Sequence, residues 1–248
     1  MANTYFQFKE FTIHQERTAM KVCTDACLFG AWTAEQMADR FPDAKGNEGL
    51  PPGHSVLDIG AGTGLLSLML ARQLYAVIDA VELEENAFSQ AQENVGASKW
   101  NQRISVHHAD ILDFKSFRRY ELVISNPPFF ENSLKSVYSH RNLAKHEAAL
   151  DLQVLFRLAE AFTTADGCFA LLLPAERVDD AIQNAHSAAM HLRNKAMVRQ
   201  TEKHGYFRTM LIFSKEKGIA KEEEISIRRE GNYTERFSAL LQPYYLFL

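Results

Sequence analysis

Long apolar runs, paired cysteines and a surplus of positive charge are all missing from this chain of 248 residues. Its longest apolar stretch, "CFALLLP" (168–174), falls far short of the ~20 residues a membrane-spanning helix needs, and reads as a buried strand. The opening "MANTYFQFKEFTIHQERTAMK" lacks an apolar core after a basic start, so no signal peptide is expected. Three cysteines, an odd number, suit a reducing cytoplasm better than a disulfide framework. Cys23 and Cys27 share a C-x3-C spacing with no second ligand pair, so small buried hydrophobes are expected there and no metal. A net charge of −4 and a pI near 6.1 argue against binding polyanions over the whole surface, while leaving room for a local basic face. No internal repeat is visible.

What is present is an alternating rhythm that begins after a Pro- and Gly-rich loop, Phe41 to Ser55. "SVLDIG" reads as a strand, "GLLSLMLARQL" as a helix apolar all round, and "YAVIDAVEL" as a second strand. "EENAFSQAQENVGAS" reads as a helix with acidic residues in its first turn, where the helix dipole favours them. "RISVHHAD" and "YELVISN" follow as strands, then an aperiodic stretch to about Ala149. "LDLQVLFRLAEAFTTADG" is expected to be an amphipathic helix closed by Gly167. "CFALLLP" makes a fifth strand, "AERVDDAIQNAHSAAM" a helix, and "NKAMVRQTE" with "YFRTMLIFSK" an antiparallel hairpin. "EISIRREG" offers an edge strand, and the apolar tail ending in "YYLFL" must dock on the core. Strands alternating with helices imply an α/β sheet, mostly parallel, with ligands at the carboxyl ends of its strands. The fifty residues ahead of the rhythm hold one helix or two.

The turn Asp58-Ile59-Gly60-Ala61-Gly62-Thr63-Gly64 sits where the first of these strands becomes a helix. Glycine there permits a sharp turn and close approach of a ligand, and the helix N-terminus suits an anionic group. By itself such a turn can be a tight turn and nothing more. A dinucleotide fingerprint needs a third glycine where Leu65 stands, and the D-x-G-x-G-x-G pattern resembles the first motif of S-adenosylmethionine-dependent methyltransferases. Glu82 ends the second strand, where a carboxylate can accept both ribose hydroxyls; this serves NAD as well as adenosylmethionine. Asp110 follows the third strand, as an acceptor for an adenine amino group or as an ordinary helix cap.

Asn126-Pro127-Pro128-Phe129 closes the fourth strand. Proline cannot donate to a ladder, so the strand stops near Ser125, and Asn126 is confined to extended geometry. The stretch fits [D/N]-P-P-[Y/F/W] and resembles the catalytic motif of methyltransferases acting on planar, amide-like nitrogens: adenine N6, cytosine N4, guanine N2 or glutamine N5. The lone pair of such a nitrogen is delocalised and weakly nucleophilic. The carbonyls of Asn126 and Pro127 can accept its two N–H bonds, and the Phe129 ring can stack on a base, worth about 1–3 kcal/mol.

Beyond these motifs, "TAMKVCTDACLFGAW" (18–32), "LDIGAGTGLLSLMLA", "DAVELE", "AQEN", "ISNPPFF" and the ending "YYLFL" together look like the bacterial tRNA1(Val) adenine-37 N6-methyltransferases, over essentially the whole chain. That family often reads M-K-x-G-T-D-G in the first stretch, where this chain has Cys23 and Ala26 at the glycine positions but keeps Lys21, Thr24 and Asp25. It often reads R-x-x-A-R-H-E after the catalytic turn, where Arg141, Ala144, His146 and Glu147 match and Lys145 replaces an arginine. Positive charge survives that replacement; bidentate phosphate recognition does not.

The resemblance implies a class I, Rossmann-like methyltransferase fold with a mostly parallel seven-stranded sheet, a C-terminal antiparallel hairpin and helices on both faces. It implies one structural domain: an N-terminal segment (1–50) that packs on the core and lines the site, and a methyltransferase domain (51–248). The catalytic set would be Asn126, Pro127, Pro128 and Phe129. S-adenosylmethionine would be held by Lys21, Thr24, Asp25, Asp58, Gly60, Gly62, Gly64, Glu82, Leu83, Asp110, Ile111 and Asn126. Phe129, Phe130, Lys135, His140, Arg141, Lys145 and His146 would meet the tRNA anticodon stem-loop, with Lys9, Arg17 and Lys21 as a second basic group. Each basic group reads equally well as a solvated face. A protein glutamine N5-methyltransferase would carry a helical domain ahead of the glycine turn, where this chain has only about fifty residues. The motifs also admit a ribosomal guanine N2-methyltransferase and a non-catalytic adenosylmethionine-fold module. A cytoplasmic, metal-free monomer without membrane contact is expected, with His107 and His108 as strand and surface residues.

Overall fold

Strands covered by helices on both faces need apolar side chains in both directions, and His54–Ile59 and Tyr120–Ser125 are buried almost throughout. The computed structural model describes residues 3–41, 53–128 and 151–248. In chain order the elements are β1 (Tyr5–Gln7), β2 (Thr12–His14), α1 (Thr24–Met37), β3 (His54–Ile59), α2 (Leu65–Gln73), β4 (Ala76–Glu82), α3 (Glu85–Gly96), β5 (Ile104–His108) and β6 (Tyr120–Ser125). There follow α4 (Leu152–Phe162), β7 (Thr163–Pro174), α5 (Val178–Ser187), β8 (His191–Arg199), β9 (Tyr206–Ser214), β10 (Lys221–Ser226), β11 (Arg228–Arg229), β12 (Asn232–Tyr233) and α6 (Glu235–Leu241).

The central sheet runs β10-β8-β9-β7-β6-β3-β4-β5. Pairing is parallel except on either side of β9, which runs antiparallel to β7 and β8. The mostly parallel sheet and the C-terminal hairpin are as the sequence implies, and an eighth strand, β10, extends the expected seven. Side chains alternate across the sheet: Leu122, Ile124, Ala170 and Leu172 join the cluster under α1, α2 and α6, while Val123, Phe169 and Leu171 join that under α4 and α5. Chain order reverses beside β3, with β4 and β5 on one side and β6 and β7 on the other, which opens a crevice at the carboxyl ends there.

Three local readings are corrected. The N-terminal segment holds a two-stranded ribbon, β1–β2, besides its helix; strands this short pair only because Phe8, Phe11 and Ile13 are buried in the core. Cys27 is buried as expected, but Cys23 precedes the first turn of α1 and is exposed. The helix expected to close at Gly167 stops at Phe162, since the β-branched Thr163 and Thr164 begin β7. Gly167 instead serves a bulge, where pairing jumps from Tyr120–Thr163 to Leu122–Cys168. The tail docks through Tyr244, whose buried hydroxyl donates to the Met69 carbonyl, and Tyr245, which bridges to Phe8.

A Cβ at Gly167 would stand 2.8 Å from the Tyr120 carbonyl oxygen and 3.0 Å from the Thr164 nitrogen, both main chain and unable to swing aside. Gly167→Ala should therefore destabilise the fold by roughly 1–3 kcal/mol. Urea unfolding should show a lower midpoint with an unchanged slope; an unshifted midpoint would mean the bulge relaxes freely.

Candidate active site

The site is built where β3 and β4 end beside β6. Gly60, Gly62 and Gly64 have φ of 75°, 56° and 79°, a left-handed region that L side chains rarely adopt. A Cβ at Gly60 or Gly62 would meet nothing within 4 Å, so these two border open space. One at Gly64 would meet Ala91 and Val95 of α3 at 3.6 Å, so that glycine serves packing. Neighbouring elements hold the turn in place. Gly60 and Ala61 donate to the Val81 carbonyl at 2.9 and 3.1 Å, and Gly62 N–H donates to Glu82 Oε2 at 2.8 Å. The second Glu82 oxygen accepts the Glu84 N–H at 2.9 Å, so this carboxylate joins the glycine turn to the start of α3. Glu84 in turn caps α3, accepting from Asn86 and Ala87.

Asp58 is fully buried at the penultimate position of β3. Its Oδ2 accepts the Ser67 hydroxyl at 2.7 Å, and its Oδ1 is buried without a partner among the described residues. Burial pushes its carboxyl up to about 6, with Glu82 adding a smaller repulsion and the Ser67 bond opposing it.

Across the crevice, β6 stops at Ser125, as the prolines require, and Ser125 Oγ donates to the Ile59 carbonyl at 2.9 Å. Asn126 follows beside the glycine turn. It is half-buried, with its carbonyl oxygen Oδ1 buried and unpaired among the described residues; Pro127 is buried and Pro128 exposed. A buried acceptor without a donor costs about 1–3 kcal/mol, so its retention needs an explanation. Leu83 beside Glu82 is 49% exposed, while Ile111 is buried. Asp110 caps a turn, its Oδ1 accepting from Leu112 and its carbonyl from Asp113 and Phe114, which is the capping reading.

Other residues singled out in the sequence make contacts of their own. The Lys21 ammonium donates to the carbonyls of Gln15 and of Thr18, the latter at 2.9 Å, and so braces its own loop. Thr24 is exposed at the start of α1. Asp25 accepts from Arg208 Nε at 2.8 Å, joining α1 to β9 at the carboxyl edge of the sheet. His107 meets Asp79 at 2.8 Å, and His108 meets the Leu83 carbonyl while stacking on Phe88. Phe129, Phe130, Lys135, His140, Arg141, Lys145 and His146 lie outside the described residues. Sequence reasoning misses Asn94 as a site residue. This buried α3 residue accepts from His14 N–H and donates to the His14 and Thr63 carbonyls at 2.8 and 2.9 Å, tying the N-terminal ribbon to the glycine turn. Its signal is an amide on the apolar face of a helix. Among the described residues no cluster of metal-ligating side chains is present, and no helix is long and apolar enough to cross a membrane.

The raised Asp58 carboxyl gives a pH test. Folding favours its protonated form, so its stabilising contribution is full below the ordinary value of 3.8 and is lost as pH rises through about 6. Asp58→Asn keeps an acceptor for Ser67 and cannot ionise. The variant's stability, read from urea unfolding at each pH, should gain on the wild type between pH 4 and 6 and level off above, by an amount on the order of 3 kcal/mol. A difference that stays flat with pH would remove the buried ionisation.

Comparison with known proteins accords with this geometry. The profile of the methyltransferase small domain matches residues 37–153. A tRNA1(Val) (adenine(37)-N6)-methyltransferase from Dyadobacter fermentans is 38% identical, covering 98% of this chain and 98% of its own. One from Escherichia coli O157:H7 is 38% identical, covering 98% of this chain and 95% of its own. Among solved structures, a predicted O-methyltransferase from Agrobacterium tumefaciens shares the fold at a TM-score of 0.62 and 16% identity, over 88% of this chain and 96% of its own. With a glycine turn, a strand-end glutamate and an Asn-Pro-Pro turn at one crevice, and relatives of this identity along nearly its full length, the chain belongs to the tRNA1(Val) (adenine(37)-N6)-methyltransferase family.

Proposed function

We propose that this protein methylates the N6 amino group of adenine 37, beside the anticodon of tRNA1(Val), using S-adenosylmethionine. The observation that carries the reading is the carbonyl oxygen of Asn126, buried beside the glycine turn without a partner among the described residues. Such an acceptor is satisfied when an amino group arrives.

The residues present fit the cofactor: Gly60 and Gly62 leave open space that side chains would narrow, and Leu83 offers an exposed apolar contact beside Glu82. Glu82 and Asp110 each keep lone pairs for hydroxyl or amino donors, since a carboxylate oxygen accepts more than one bond. Asp58 supports the turn from beneath. When bound, S-adenosylmethionine supplies an electrophilic methyl group on a sulfonium.

The chain's own residues handle the nitrogen. The Asn126 amide carbonyl and the Pro127 main-chain carbonyl accept its two N–H bonds, which turns the lone pair out of conjugation with the ring. Both acceptors are preorganised by the proline turn, so they stabilise positive charge as it develops on nitrogen. No strong base is needed, because the proton leaves after methyl transfer. Phe129 stacks on the base, and Phe130 with the basic residues Lys135, His140, Arg141, Lys145 and His146 meets the surrounding RNA. Adenine 37 lies in a single-stranded loop, where a base can be splayed out at low unstacking cost. The N-terminal segment 1–50 lines the same site, Lys21, Thr24 and Asp25 included; the Asp25–Arg208 and Asn94–His14 bonds support that placement. The same reading takes the protein to act as a monomer in the cytoplasm.

Asn126→Ala should lose most turnover while cofactor affinity stays within about twofold, because Asn126 bonds the acceptor; loss of one preorganised partner typically costs about 10²–10³ in rate. Methyl transfer from labelled adenosylmethionine, followed by nucleoside analysis, should give N6-methyladenosine at one position of one tRNA. Methylated glutamine or guanine as the product would overturn the substrate assignment, and full activity in Asn126→Ala would overturn the mechanism.

A further inference from the structure

The rim that holds the candidate active site continues, four strands away, into a feature the catalytic reading does not use. Beyond the carboxyl end of β10 the chain forms the β11–β12 ribbon, with Ile227 and Arg228 N–H groups bonded to the Arg199 and Gln200 carbonyls at the carboxyl end of β8. The ribbon turns through Glu230 and Gly231, both at positive φ of 50° and 86°. Its four strand residues are all exposed.

Arg228 packs on this ribbon. Its guanidinium carbon sits 4.2 Å from the centroid of the Tyr233 ring, and its Nη1 donates to the Gly231 carbonyl at 2.7 Å. Tyr233 stacks on Phe237, with centroids 4.7 Å apart and planes 20° from parallel, and Phe237 is fully buried. A column thus runs from the core to the surface: Phe237, Tyr233, Arg228. The other arginines along this edge of β8, β9 and β11 are neutralised. Arg199 meets Glu224 at 3.2 Å, Arg208 meets Asp25 at 2.8 Å, and Arg229 meets Glu202. Arg228 has no carboxylate partner among the described residues. Its guanidinium is held by a ring and a carbonyl, which leaves its positive charge without a carboxylate among the described residues.

We propose that Arg228 and Tyr233 form a second RNA contact, gripping the sugar–phosphate strand that flanks the target nucleotide. This deepens the tRNA reading above and rests on it. A guanidinium with N–H groups beyond the Gly231 bond matches a phosphate in fork geometry, and the Tyr233 ring, its faces taken by Phe237 and Arg228, is the platform that holds the guanidinium in place. From β6 to β10 there are four strand spacings, about 19 Å in all. That is the rise of roughly five or six stacked nucleotides at about 3.4 Å each. An RNA whose target base enters at Asn126 therefore passes the ribbon with its adjoining strand. One oriented arginine adds a phosphate contact on a chain whose net charge of −4 does not itself favour a polyanion.

The test is filter binding of the full chain to the tRNA transcript over a salt series, for wild type, Arg228→Ala, Arg228→Lys and Tyr233→Ala. Arg228→Ala should weaken RNA binding about tenfold and reduce the logarithmic salt slope by roughly one. Arg228→Lys should keep the slope and lose part of the affinity, because an ammonium cannot fork. Tyr233→Ala should weaken binding several-fold, with cofactor affinity and melting temperature reporting that each variant stays folded. Wild-type affinity and slope in Arg228→Ala, with the parent methylating adenine 37 normally, would overturn this contact alone. A parent that neither binds nor methylates the RNA would overturn both readings.

Discussion

Everything at the site depends on holding three closely spaced turn glycines in left-handed geometry without leaving their N–H groups orphaned. Glycine loses more conformational freedom on folding than any other residue, so such a turn is intrinsically unfavourable and needs bonds from outside itself. They come from three directions. The Val81 carbonyl takes two N–H groups, the Glu82 carboxylate takes a third, and Asn94 reaches the Thr63 carbonyl from α3. The order of β3, β4 and α3 around the turn is thus what makes the turn possible. The same three elements place Glu82 and Leu83 at the crevice, so the bonds that stabilise the turn also fix that strand end.

Glu82 illustrates why much of the site is legible in the sequence. An acidic residue ending the second strand of an alternating pattern is a local signal, as are the prolines that stop β6 at Ser125. Strand and helix periods carry the sheet, including the hairpin of β8 and β9. What stays illegible is set by contacts between distant residues. Nothing near Gly167 in the chain announces the Tyr120 carbonyl that excludes a Cβ there. The β1–β2 ribbon is too short to carry a period, and its existence follows from a hydrophobic cover over α3 and the docked tail. Sequence points to Asp25 and Lys21 as site residues, but it does not show that Arg208 bonds the first and backbone carbonyls the second. It marks them by the company they keep along the chain; their partners sit far away on β9 or turn back within their own loop.

Charge is arranged under a similar constraint. Arg236 bonds both Glu35 and Glu223, and Glu223 also accepts the indole N–H of buried Trp32 at 2.7 Å, so α1, β10 and α6 are joined through one guanidinium. The two carboxylates hold that guanidinium charged, well above the ordinary arginine range. This network explains why an eighth strand can be added at the sheet edge: β10 is rich in glutamate, a poor strand former, and its side chains are matched by Arg236, Lys195 and Arg199. Exposed ion pairs contribute little singly, but they give this edge strand its register and protect it from pairing with other chains.

The contrast between Asp58 and Asn126 shows why an amide suits the end of β6. Both side chains carry a buried oxygen without a partner among the described residues, one strand apart. At Asp58 burial makes ionisation unfavourable enough to push the carboxyl up to about 6, so near that pH the group interchanges between acceptor and donor. A carboxyl in a comparably dry place at Asn126 would meet the same penalty, and in its protonated form would offer a donor where an incoming amino group needs an acceptor. The amide carbonyl has no such dependence: it accepts at every pH and carries no charge to desolvate. Its oxygen without a partner among the described residues costs a modest amount that does not vary with pH. A neutral amide is therefore the arrangement that lets a buried oxygen at this strand end stay uncharged at every pH.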